Sequence, residues 1–278
     1  MSCVLARPVS ELRSPSNPLI RDVRRAVTRS AATKKGLWVA ESLRLFDEAL
    51  ASRLKVDTVV AAARRRREVE ARLRGHGDVT LSIVDDNLFA QIASTETSQG
   101  VLVLVEPPQC DLDELFKGVP LVVALDAIQD PGNVGTIVRT AEAFGATGIV
   151  LLKGTARAAN PKTLRASAGS LFRLPHIEGL EPEELMDEIK KRGLCCFAAS
   201  SRAERPLSQA RLERGCVIVL GSEAHGVRPA LRDAAEDLRI PTRAVESLNV
   251  SAAAAVVLYE ASRRRSASGE SRNDRGIR

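Results

Sequence analysis

Short apolar runs rich in branched side chains alternate along this chain with stretches whose apolar positions recur every three or four residues. The pattern predicts buried strands, each followed by an amphipathic helix, and therefore an α/β fold. It is clearest over residues 121–153, LVVALDAIQDPGNVGTIVRTAEAFGATGIVLLK. Residues 121–125 read as a strand buried on both faces. The Asp130-Pro131-Gly132 step carries turn chemistry, because proline fixes φ and glycine frees the next residue. Val134, Ile137, Val138, Ala141 and Phe144 then follow helical spacing, Gly145 sits where a helix ends, and 148–152 reads as the next strand. A polar loop at the carboxyl end of a strand, opening into a helix, is where open α/β sheets place ligands.

The same alternation divides the chain. Residues 1–15 read as a loosely held arm. Residues 17–34 read as a helix carrying Arg21, Arg24, Arg25, Arg29 and Lys34. Strands are predicted at 37–40, 56–62, 80–84 and 100–105, with helices at 42–52, from Arg64 onward, and at 85–93. This makes a small α/β domain over 1–108. Residues 109–117, with an acidic cluster after Pro107-Pro108, form a linker. A second domain spans 118–266. Within it the pattern predicts a short helix with a basic face at 160–169, including Arg165, and a strand at 174–177. A surface helix at 181–192 and a strand at 194–199 follow, then a buried strand at 216–220, an extended stretch at 238–241 and a closing helix at 246–265. From 267 the chain turns to Ser, Gly, Asn and Arg, which predicts a disordered tail.

Composition narrows the function classes. The chain has 278 residues, 44% of them hydrophobic, enough for a sizeable core. Lys and Arg outnumber Asp and Glu by 41 to 35, a formal charge of +6 that suits a polyanionic partner. Four consecutive arginines, Arg64, Arg65, Arg66 and Arg67, and the single-signed helix near Arg21, Arg24 and Arg25 are candidates for phosphate contact, against the ordinary reading of a solvated surface. Aromatics are 3%, which argues against base-stacking platforms. The five cysteines form no C-x-x-C pair and the histidines no cluster, so neither a metal site nor a disulfide framework is expected. Reduced thiols, no stretch of membrane-spanning length and no signal peptide lead to an expected cytoplasmic location.

Three segments end in polar loops that can carry chemistry. The first bears Asn133 and Arg139. The second, LGSEAHGV, bears Gly221 and Glu223 after a buried strand. The third, ESLNVS, bears Ser247 and Asn249 at a helix start, where such residues are commonly caps. No glycine-x-glycine fingerprint accompanies the first, so a nicotinamide or flavin site has little support. In order and spacing, over 121–265, the three segments resemble the signature of the SpoU (TrmH-like) RNA ribose methyltransferases of the SPOUT superfamily. GLWVAESLRLFDEAL and TETSQGVLVLVEPP resemble the RNA substrate-binding domain that precedes the catalytic domain in many of them. That domain usually has Glu-Gly after its first strand, where this chain has Glu41-Ser42.

The resemblance implies a mainly parallel sheet tied in a deep trefoil knot, a homodimer, and S-adenosylmethionine held by Gly221, Ile240 and Leu248. It places Arg139 beside the reactive 2′-hydroxyl. A guanidinium stays protonated, so its role is to hold the adjacent phosphate and stabilise oxyanion charge rather than to act as a base. Asn133 would orient Arg139 or the ribose, Glu223 would position that assembly or take the proton through water, and Ser247 and Asn249 would shape the cofactor loop. The plain structural alternative for Arg139 is an i,i+3 ion pair with Glu142. The expected function is methylation of ribosomal RNA, of housekeeping or antibiotic-resistance type. Transfer RNA is the second candidate substrate, and a non-catalytic RNA-binding assembly factor the rival from another class.

Overall fold

The computed structural model describes residues 9–200 and 203–273. The chain forms two compact units. The first contains the residues up to Gln109 together with Arg157–Arg173; the second contains Cys110–Ala156 and the residues from Leu174 onward.

In the first unit the chain runs β1 (Val9–Leu12), α1 (Pro18–Thr28), β2 (Trp38–Glu41), α2 (Leu43–Ala51), β3 (Val56–Ala62), α3 (Arg66–Arg72), β4 (Thr80–Val84), α4 (Asp86–Ala90) and β5 (Val101–Val105). The sheet order is β1-β4-β3-β5-β2. Strands β1, β4 and β3 are parallel, whereas β5 pairs antiparallel with both β3 and β2. Ile20, Val23 and Ala26 of α1 pack with Phe89, Leu102 and Leu104 in one core. The arm expected over 1–15 differs in part: Val9–Leu12 is an edge strand, in register with Leu81–Val84. Alternate half-exposed positions along an edge leave too weak an apolar pattern to read. Residues 1–8 lie outside the described residues. Helix α1 also ends six residues before Lys34, where Ser30 turns the chain at φ 49°.

The second unit continues with α5 (Leu112–Leu115), β6 (Leu121–Asp126), α6 (Pro131–Ala143) and β7 (Gly148–Leu151). Helix α7 (Pro161–Ser167) groups with the first unit. Then follow β8 (His176–Glu178), α8 (Pro182–Lys191), β9 (Cys195–Ala199), β10 (Cys216–Gly221), α9 (Pro229–Arg232), β11 (Glu236–Leu238) and α10 (Val250–Asn273). All six strands are parallel, in the order β11-β9-β10-β6-β7-β8. From β6 the chain winds toward β8, and it then returns on the other side of β10. The direction therefore switches between β6 and β10, which is where such sheets open a ligand crevice. Val134, Ile137, Val138 and Ala141 of α6 are fully buried, as their spacing requires. The closing helix starts at Val250, later than 246, and runs to Asn273. Propagating an existing helix costs less than nucleating one, so it carries on into polar sequence. The last five residues lie outside the described residues.

Candidate active site

Register places the first two candidate loops side by side. Gly221 pairs with Asp126 at the ends of β10 and β6, so the turns that follow emerge together. Asp130 caps α6 by accepting the Asn133 N–H at 2.9 Å, with Pro131 at the first helical position. That cap leaves the Asn133 side chain free on the first turn. At the end of β10 the chain doubles back, with the Gly226 N–H donating to the Ser222 carbonyl at 2.8 Å. A Cβ on Gly221 would stand 2.1 Å from the Gly226 backbone, so no side chain fits there. The glycine is required first by the chain's own turn.

Three side chains from three loops are joined by hydrogen bonds. Asn133 Nδ2 donates to Glu223 Oε1 at 2.5 Å, and Asn249 Nδ2 donates to Asn133 Oδ1 at 3.3 Å. Asn249 Oδ1 accepts from the Ser251 N–H at 2.9 Å and from its hydroxyl at 2.6 Å. The direction is self-consistent. A carboxylate can only accept, so Asn133 turns its amide nitrogen to it and its oxygen to Asn249, which in turn offers its oxygen to a helix N-terminus. Asn249 is thus both a cap and a member of the site.

Beside this chain lies a cleft of about 540 Å³, lined by Gly221, Glu223, Ile240, Ser247, Leu248 and Asn249 among others. That volume is in the range of small-molecule sites. Asn133 and Arg139 are not in its wall. Arg139 is exposed on α6 and its guanidinium has no ion pair or hydrogen bond among the described residues, so the surface pairing with Glu142 is not formed. No hydrogen bond joins Asn133 to Arg139 among the described residues; the Asn133 amide is bonded to Glu223 and Asn249. Two polar groups in this region escaped the sequence reading. Asp237 lines the cleft with one carboxylate oxygen held by Arg232 at 3.0 Å, while its buried Oδ1 has no hydrogen-bond partner. Asp126, fully buried, binds Arg228. Asp126 fell in the loop predicted after the strand 121–125, and nothing local marked Asp237. His225 is exposed and also borders the cleft. Among the described residues no group of three or more His, Cys, Asp or Glu could hold a metal ion, and no helix is long and apolar enough to cross a membrane.

In the first unit the expected RNA-contacting residues fall into two classes. Arg64 binds Asp86, Arg65 binds Glu68 at 2.7 Å, and Arg66 binds Glu70 at 2.9 Å and Glu11 at 3.0 Å. Arg25 pairs with Asp22 at 2.9 Å, and Arg24 donates to the Gln91 side chain. Arg165 is half-buried, bound to the Ser94 hydroxyl and 3.9 Å from Glu41. Arg21 and Arg67 are exposed with no ion pair among the described residues. Clustered arginines in the sequence are therefore largely neutralised in space.

Comparison with known proteins decides the family. Residues 120–259 match the SpoU rRNA Methylase family, and residues 17–103 match the MRM3-like substrate binding domain. This chain belongs to the SpoU rRNA methylase family. It is 30% identical over 255 residues to the 23S rRNA (guanosine(2553)-2′-O)-methyltransferase RlmP of Bacillus subtilis, covering 90% of this chain and 98% of the relative. It is 32% identical to the 23S rRNA (guanosine-2′-O-)-methyltransferase RlmB of Ralstonia nicotianae, covering 74% and 86%. Among solved structures, the SpoU methyltransferase AviRb of Streptomyces viridochromogenes, in complex with AdoMet, superposes with a TM-score of 0.80 at 25% identity, covering 90% and 98%. The resemblance read from the three polar loops and from the first domain is thereby the family itself, and the fold is that of a SpoU methyltransferase.

Proposed function

We propose that this protein transfers a methyl group from S-adenosylmethionine to a ribose 2′-hydroxyl of large-subunit ribosomal RNA. The observation that carries the reading is the hydrogen-bonded chain Glu223–Asn133–Asn249 at the mouth of the cleft. A protein that only binds RNA has no need to draw side chains 90 and 116 positions apart into one polar relay. The cleft fits the cofactor. Ile240, Leu248 and Leu238 offer apolar wall to an adenine, and the orphaned Asp237 Oδ1 and the Glu223 carboxylate suit a ligand that carries positive charge. When bound, S-adenosylmethionine supplies an electrophilic methyl group on a sulfonium.

The chain's own residues supply the rest. Arg139, exposed and unpaired, holds the phosphate next to the target ribose and stabilises charge as the hydroxyl loses its proton. Glu223 holds Asn133 in place and has a second carboxylate oxygen to receive that proton through water. Ser247 and Asn249 shape the loop around the cofactor. Residues 1–108 provide RNA affinity, with Arg21 and Arg67 the cations most available for phosphate. The knotted chain path, a cytoplasmic location and a homodimer belong to the same reading. Supporting the dimer, Ala252, Val256 and Tyr259 form an exposed apolar stripe at helical spacing on α10, with Tyr259 edge-on to Phe144 at 5.8 Å. Light scattering at micromolar concentration is expected to give twice the chain mass of 29.9 kDa.

The test is transfer of labelled methyl groups to transcripts of large-subunit ribosomal RNA and of transfer RNA, followed by mapping of ribose methylation. Label on the ribosomal transcript is expected. Label on transfer RNA alone would move the substrate to the second candidate. Cofactor binding with no transfer to either RNA would refute the assigned activity, and no cofactor binding at all would leave an RNA-binding assembly factor.

A further inference from the structure

Asp126 is fully buried at the carboxyl end of the central strand β6. Its Oδ2 accepts the Arg228 backbone N–H at 2.7 Å, and its Oδ1 accepts the Arg228 Nε–H. Arg228 Nη2 then donates to the Lys153 carbonyl at 3.1 Å, just beyond β7. Arg228 occupies the N-cap position of α9, where Ser, Thr, Asp or Asn is preferred, and it makes no side-chain cap bond. The position thus forgoes a helix cap, and its guanidinium instead reaches across to a neighbouring strand.

The loop between β10 and α9 carries Glu223 at its turn, and both its ends are held at one residue. Gly221 at the entry is the ladder partner of Asp126, and Arg228 at the exit is bonded to the Asp126 carboxylate. Between them, the Ser222–Gly226 bridge and the His225 N–H bond to Ser222 Oγ at 3.2 Å shape the turn. Asn133, which Glu223 must meet, sits on the helix that the same strand leads into. We infer that Arg228, locked on Asp126, is a positioning residue that sets Glu223 against Asn133 for methyl transfer. Arg228 touches neither the hydroxyl nor the methyl group; it acts through Glu223. In its catalytic part the inference rests on the methyltransferase reading above.

The experiment combines amide exchange with a double-mutant cycle in the full chain. Arg228→Lys keeps a cation on buried Asp126, so the fold survives, but it loses the fork that also reaches Lys153. Exchange of the amides in 222–227 without cofactor or RNA is expected to rise about tenfold as the local structure opens more often. Single-turnover transfer to a ribosomal RNA transcript is expected to fall about fivefold to tenfold. In a Glu223→Ala background, which removes the acceptor that Arg228 is inferred to position, the same change is expected to cost less than about twofold, because coupled residues are not additive. Arg228→Ala gives a larger loss with the same dependence on Glu223 where that chain folds. Equal losses in both backgrounds would overturn the inference, because a merely structural residue acts regardless of Glu223. Unchanged exchange in 222–227 would overturn it as well. If the wild-type chain transfers to no RNA, the proposed function fails, and the exchange measurement still decides whether Arg228 holds the loop.

Discussion

Two glutamates, one ending β2 in the first unit and one just after β10 in the second, differ in how much of their hydrogen-bonding capacity the fold itself consumes. Glu41 closes β2 and is 2% exposed. Its carboxylate accepts from the Ser94 N–H at 2.7 Å, the Ser94 hydroxyl and the Thr95 hydroxyl at 2.9 Å, with Arg165 nearby. Both oxygens are engaged, and the group ties Ser94 and Thr95 to the end of the strand. Glu223, after β10, is exposed at the edge of a cleft and is held by one bond from Asn133. The arginines divide the same way: Arg64, Arg65 and Arg66 have carboxylate partners, whereas Arg139 has none. A polar group whose partners are all internal holds the fold together. One left partly open beside a cleft is available to a ligand.

Four measurements would break or sharpen that contrast. The largest effect is expected at Arg139. Arg139→Ala should slow single-turnover methyl transfer by roughly a hundred- to a thousandfold, about 3–4 kcal/mol, and leave cofactor affinity unchanged. Arg139→Lys should rescue poorly, because an ammonium lacks the bidentate fork. Wild-type rates for both variants would return Arg139 to an ordinary surface position.

Glu41→Gln should act in the opposite register. It turns an amide NH2 toward groups that are themselves donors and removes charge-assisted bonds, so unfolding free energy should drop by about 2–3 kcal/mol while cofactor affinity holds. A loss of affinity without a loss of stability would contradict the structural assignment.

Salt dependence of RNA binding tests the arginines. Removing a true phosphate contact flattens the slope of log affinity against log salt by about 0.9 on a duplex or 0.7 on a single strand. Arg21→Gln and Arg67→Gln should each show that change. Arg65→Gln should show little, because Arg65 is bonded to Glu68 and to the Gln99 carbonyl. Equal slopes for all three would mean the internal pairs yield to RNA.

The smallest effect is expected at Ser42. Its φ of 141° and ψ of 157° lie in a region that is essentially glycine's, and its side chain caps α2 through the Leu45 N–H. Ser42→Gly relieves strain, loses a cap worth a few tenths over glycine and adds chain entropy to the unfolded state, for a net gain of about 1 kcal/mol or less. A melting temperature that rises by a few degrees would support this; a lower one would show that the cap outweighs the strain.

How much was legible follows from the range of each signal. Apolar periodicity is local, so β6, α6, β10 and the burial of Val134, Ile137, Val138 and Ala141 were set out by the sequence, as were the family and the three polar loops. Glycine at 221 was also visible, although the reason differs, since its missing side chain makes room for Gly226. Other features depended on contacts between distant positions. The pairing of Arg64 with Asp86 and of Arg66 with Glu11, the bond from Asn249 to Asn133, the seat of Arg228 on Asp126 and the edge strand Val9–Leu12 join residues 22 to 116 positions apart or depend on a neighbouring strand. Charge and hydrogen-bonding capacity are written in the residue type, but the partner that satisfies them is selected by strand order and register. The sequence by itself determined which groups this protein has to offer. Only the tertiary structure decided which of them are consumed in holding it together and which face the cleft, because a polar group is free only when no other part of the chain arrives to bind it.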